Sequence, residues 1–302
     1  MIIIRPVIIT DAMFISSNLP ENDEPVYSAG TTYALGDKVI LISTHRIYES
    51  LIASNTGNNP PDNLTGETPA WQDNGATNKW RVFDQVVGNQ AEHATVLEYE
   101  IETGVIVDSM SLQNLDAIGY TVVMTDPTDG VVYDQTYSLI SAENVGDRYD
   151  YFFEPILQDD AAAIFDLPLY PDATIDISIN NGLSPVGCGE IVIGRQRFIG
   201  KTLQRPRMGI VDFSKKITDP VTGALEIEEK AYSKTISTGI RMESSATDDI
   251  FRLLSLIRAT PVVWVAVDDF SSLNVYGFYR DFQMELTYLS HTEYSLEIEG
   301  LT

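Results

Sequence analysis

The 302 residues include 44 Asp and Glu, so paired carboxylates are the first chemistry to look for. A glycosidase needs two, one kept protonated by an apolar setting and one ionised, about 5 to 10 Å apart. Asp159-Asp160 and Asp268-Asp269 are adjacent pairs, but both stand in turn-like settings where carboxylates meet solvent and bend the chain. His45, His93 and His291 are far apart and none falls in a metal-ligand spacing such as H-E-x-x-H. Calcium would ask for a D-x-D-x-D-G loop, which is missing. GRQRFIGKT at 194–202 has the look of a phosphate loop, yet five residues rather than four separate its glycines, and Phe198-Ile199 read as strand. There is no G-x-S-x-G elbow. The expectation is a protein that is not an enzyme, with no cofactor and no metal.

The elements that would position any site are almost all strands. TIDISI at 174–179 and EYSLEIE at 293–299 alternate apolar and polar residues, as a strand does with one face on a core. YTVVM at 120–124 and PVVWVAV at 261–267 suit strands buried on both faces. Asp129-Gly130, Asn181-Gly182 and TDPVTG at 218–223 supply turns between them. One helix is expected over 247–258, with Thr247 as N-cap, Asp248 and Asp249 in its first turn, and Ile250, Phe251, Leu253, Leu254 and Ile257 on the covering face. The fold class is therefore all-β with a single covering helix.

Charge and composition narrow the function classes. Lys and Arg total 19, so the net charge is -25 and nucleic acid would be repelled on average. Cys188 has no partner for an internal disulfide and reads as a small core residue, which fits a reducing compartment. The opening MIIIRPVIIT is interrupted by Arg5 and Pro6 and lacks the features of a secretory signal, so it reads as a first strand. No apolar run is long enough to span a membrane.

Four segments follow from the composition shifts. Residues 1–26 open with a strand expected to pair with a later domain, which makes the compact block at 27–84 an insertion. Residues 93–200 are spaced for a jelly-roll-like sandwich, and 201–302 for a β-rich, barrel-like assembly domain carrying the helix.

The block at 27–84 contains YSAGTTYALGDKVILISTHRIYESLIA, then Pro60-Pro61, Trp71 and Trp80. Its order of an aromatic, Y-x-x-G-D-x-V, a second tyrosine, proline and tryptophan resembles the chitin- and cellulose-binding modules of bacterial chitinases, carbohydrate-binding module families 5 and 12. Tyr33, Gly36, Asp37, Val39, Tyr48 and Trp71 are the matching positions. The resemblance implies rings that stack on the apolar CH faces of sugars, with Trp80, Tyr27 and Trp71 as the sugar-contact residues. The alternative is that Tyr33, Val39, Tyr48 and Trp71 form the core of a module this small. The stretch after its second strand, SLIASNTGN, carries no ring where that family usually has one.

The remaining chain resembles bacteriophage minor tail and baseplate proteins. The residues that carry this are IFDLPLYPDATIDISINNGLSPVGCGEIVIGRQRFIGKTL at 164–203 and the tail from MGIVDFSKKITD to EYSLEIEGLT. The resemblance implies a structural component of a tail tip or baseplate that forms a multi-subunit ring, located in the virion and assembled in the host cytoplasm. Its partners would be copies of itself, other tail proteins and a host-surface glycan. The arm at 213–238 is the expected subunit contact, through Phe213, Lys215, Lys216 and Tyr232. Basic residues also gather at Arg195, Arg197, Lys201, Arg205 and Arg207, so a basic patch meeting the acidic face of a neighbour would favour ordered assembly. Two other readings stand beside this one: a glycan-binding adhesion protein, and a glycosidase with an appended binding module.

Overall fold

The computed structural model describes residues 1–141, 157–203, 206–218, 223, 225–267, 271–285 and 291–301. Arg205, Asp268, Asp269 and positions 219–222 of the TDPVTG turn lie outside them. The fold is all-β, with one α-helix among the described residues, and its largest sheet curls into a half-barrel.

The opening apolar run explains how the sheet is built. Strand Ile2–Pro6 pairs antiparallel with Val186–Phe198 on one side and with Val262–Val265 on the other. Ile3 and Ile4 are both fully buried on opposite faces, which is why this strand is continuously apolar rather than alternating. On the Val186–Phe198 side the sheet continues through Ser109–Asp116 to Ala161–Ile164. On the Val262–Val265 side it continues through Asn274–Glu285 and His291–Gly300 to Tyr232–Glu243, whose far edge pairs with Lys201–Thr202 and Arg207–Asp212.

Two covers lie on one face of this sheet. A five-stranded sheet, ordered Gly130–Ser138, Gly119–Asp126, Thr174–Asn180, Val96–Glu102 and Phe14–Ser17, closes a sandwich over Met110, Leu112, Ile191 and Ile193. Strand Val96–Glu102 alternates as its sequence does: Leu97, Tyr99 and Ile101 point inward, Glu98 and Glu102 outward. YTVVM alternates too, with Tyr120, Val122 and Met124 buried and Thr121 and Val123 half-buried, because one face of its sheet meets solvent. The run at 262–265 is buried on both faces.

The second cover is the helix Thr247–Leu256, which drops Ile250 and Leu254 onto Ile3, Trp264, Leu296 and Ile298. Thr247 is inside the helix rather than its cap. The cap is Ala246, the end of a short 3-10 turn over Ser244–Ala246, and the Thr247 hydroxyl pairs with Thr292 instead. The helix also ends at Leu256, with Ile257 and Arg258 beyond it.

Candidate functional site

The small block folds around its own aromatics. Strands Lys38–Leu41, Arg46–Ser50 and Trp71–Ala76 form one sheet, and Thr32–Tyr33 pairs with Asn55–Thr56. Gly36 takes the left-handed conformation its turn requires, with φ at 86°, and Asp37 caps that turn by accepting from the Ala34 N–H at 2.7 Å. Tyr33, Val39, Tyr48, Ala70 and Trp71 make the core. Trp71 is only 1% exposed, and its Nε1 donates to the Asn58 carbonyl at 2.9 Å. Tyr27 donates to the same carbonyl at 2.9 Å and stacks on Tyr33 at 5.9 Å. Of the three rings assigned to sugar contact, Tyr27 alone is not buried.

Trp80 stands apart from this cluster. It is 8% exposed, stacked on His45 at 4.1 Å and packed against Phe14 at 4.9 Å, at the seam between the small block and the sandwich. Trp80 and Trp71, assigned to sugar contact, are thus both buried and present little ring surface in this structure. His45, one of the scattered histidines of the sequence, holds the seam from the other side. Its ring nitrogens lie 2.9 Å from Glu21 and 3.0 Å from Asp11. No spacing in the sequence could have joined Asp11, Phe14, Glu21, His45 and Trp80, because the seam brings together four separate segments. Trp80→Ala is expected to cost about 3 kcal/mol by opening a cavity there, read by chemical denaturation.

Chemistry needs a reachable reactive group, and one strongly perturbed carboxyl is buried. Glu190 is 3% exposed and accepts from the Gln85 N–H at 3.0 Å. Burial, and then the neighbouring Asp84 charge, push its carboxyl up to about 9. Glu190 lines none of the clefts described below. Among the described residues, no cluster of three His, Cys, Asp or Glu could hold a metal ion. No helix among them is long and apolar enough to cross a membrane.

The arm carries several exposed apolar side chains. Arg207–Asp212 runs along the outer edge of Tyr232–Glu243, and Lys215–Thr218 pairs with Leu225–Glu228, every residue of these two paired strands being exposed. Lys215 faces Glu228 and Ile217 faces Glu226, while Lys216 faces Ile227 on the other side, so each face of the hairpin carries an apolar side chain without cover. Ile210 is 69% exposed, Ile227 62% and Leu225 60%; Phe213 and Tyr232 are also exposed. Ile210, Ile227 and Tyr232 line an open trough of about 540 Å³. A two-stranded hairpin is marginal in water, and an uncovered apolar edge strand is a template for pairing with another chain.

At the root of the arm, a cleft of about 330 Å³ lies between the sandwich and the last strands. Lys234 reaches Asp160 there at 2.5 Å. Behind it, a buried amide network joins Gln113 Nε2 to Asn274 Oδ1 at 2.9 Å and Asn274 Nδ2 to Ser111 Oγ at 3.2 Å. These paired polar groups tie the two halves of the large sheet together and give the arm a rigid base. No protein-family model matches the chain, and no curated protein sequence is similar to it.

Proposed function

We propose that the chain is a structural subunit of a bacteriophage tail tip or baseplate, one that assembles with copies of itself and with other tail proteins into a ring. The observation that carries the assembly role is the arm, an open strand edge and a hairpin whose apolar side chains face water on both sides. The resemblance of 164–203 and of the last hundred residues to minor tail proteins supplies the particle. In this reading the small block is a packed scaffold at the periphery, and any contribution to host-surface adhesion through a glycan falls on Tyr27.

In solution the full chain is expected to sediment as a multiple of its own mass, and a strict monomer at high concentration overturns the proposal. Ile210→Asp with Ile227→Asp is expected to weaken association about 100-fold, because buried unpaired charges cost several kcal/mol at an interface. Both side chains are exposed in the single chain, so the melting temperature of the monomeric variant should stay where it was. A glycan array on the intact chain tests the adhesion element; Tyr27→Ala should reduce any signal that appears.

A further inference from the structure

Among the like-charge pairs that stand directly opposite each other across strands, Arg5–Arg195 and Glu100–Asp176 take part in no ion pair among the described residues. Arg5 is the register partner of Arg195, and Arg197 lies two residues further along the same face. With Arg252 from the helix they line a depression of about 370 Å³, floored in part by Leu253 and Leu256. The depression sits in the gap between the two covers: Ile193 belongs to the sandwich core, and Ile3, opposite Arg197, to the core under the helix. Asp249 also lines it, yet none of the four arginines takes part in an ion pair among the described residues. Four of the 19 basic residues of an acidic chain are thus gathered in one hollow, with Asp249 as the one carboxylate among its lining residues. The sequence offered Arg195 and Arg197 for a basic patch together with Lys201, Arg205 and Arg207, of which Arg205 lies outside the described residues. The fold instead sets Lys201 opposite Arg241 and puts Arg207 on the edge strand, bringing in Arg5 and Arg252.

The outer face of the five-stranded sheet carries the opposite arrangement. Glu100 is the register partner of Asp176, with Glu98 and Glu102 flanking it on the same face. Glu98, Glu100 and Asp176 line a groove of about 380 Å³, close in size to the arginine hollow. Ser16 donates to Glu100 at 2.8 Å, but no cation reaches any of these carboxylates among the described residues. Burial and then Glu100 push the Asp176 carboxyl up, as expected for two carboxylates held side by side. Like charges directly opposite on a sheet destabilise it. Each arrangement therefore lowers the stability of the free chain and is relieved by an opposite charge from outside.

We infer that the arginine hollow of one copy, formed by Arg5, Arg195, Arg197 and Arg252, receives the acidic sheet face of a second copy around Glu98, Glu100 and Asp176. The inference rests on the assembly reading above and gives it a direction. Two different surfaces meeting make a head-to-tail contact, which closes into a ring when the rotation allows. Guanidinium forks suit carboxylates, which they bind through paired hydrogen bonds.

The test uses charge reversal in the full chain at low salt, with association measured by sedimentation. Arg195→Glu with Arg197→Glu forms one variant and Glu98→Lys with Glu100→Lys the other. Each alone should associate about 100-fold more weakly than the parent, since like charges then meet. Mixed in equal amounts they should recover association, because each mismatched surface finds its complement on the other variant. Both variants remove a like-charge pair, so thermal melts should show them at least as stable as the parent. If either variant alone associates like the parent, or the mixture does not recover, the inference falls while the assembly reading stands. If the parent itself is a monomer, both fall.

Discussion

Gly194→Ala is expected to destabilise the chain by about 4 kcal/mol or more, the range reserved for substitutions the surroundings cannot absorb. Gly194 lies where three strands run side by side, opposite Pro6 on one side and Ser109 on the other. A Cβ there would stand 1.9 Å from the Arg5 carbonyl oxygen and 2.8 Å from its carbon. Those atoms are backbone, so no rotamer change relieves the collision, and the opening strand must move away from Val186–Phe198. That strand joins the sandwich to the C-terminal strands, so the strain falls on the whole large sheet. Gly209→Ala is the comparison, because its added carbon would meet the Thr235 side-chain oxygen at 2.8 Å, on an exposed edge where the threonine can turn. Denaturant unfolding of both should show a large loss for the first and a small one for the second; equal losses would contradict this account.

Glu190→Gln is expected to flatten the dependence of stability on pH. The buried carboxyl of Glu190 holds its proton up to about 9, against an ordinary value of 4.5 in the unfolded chain. Below pH 4.5 both states are protonated and the stability associated with Glu190 is fully present. As pH rises from 4.5 towards 9 the unfolded chain releases a proton that the folded chain keeps, so stability is lost across that window and levels off above it. At pH 7 the loss is ~3 kcal/mol. Glutamine is neutral in both states and can still accept from the Gln85 N–H, so it removes the loss. The variant should match the parent near pH 4 and exceed it increasingly towards pH 9. Parallel stability curves in urea across this range would show that Glu190 is not held neutral.

Much of the fold was legible in the residues. Alternation in TIDISI and EYSLEIE gave strands with one buried face, Asn181-Gly182 and Asp129-Gly130 gave turns, and the apolar stripe from Ile250 to Ile257 gave the helix, though Phe251, expected on its covering face, is exposed. These features depend on neighbours within a few residues, where sequence order and spatial order coincide. The arm expected over 213–238 is exposed only in part, because Tyr232–Glu243 joins the large sheet and buries Ser233, Ile236 and Thr238.

Tertiary structure alone decided the rest. Nothing local says that Ile2–Pro6 lies between strands some 190 and 260 positions away, and that placement creates the Arg5–Arg195 pair. The small block was legible as aromatic, yet whether Trp80 faced a sugar or a histidine depended on which surface the sandwich offered to it. Glu190 looks like any polar residue of an alternating strand until Gln85 and Asp84 close over it from a distant loop. A side chain's period along the strand fixes which face it takes, but the strand or loop that covers that face is a long-range choice. Burial, pairing and charge neutralisation follow from that choice, which no stretch of a few residues contains.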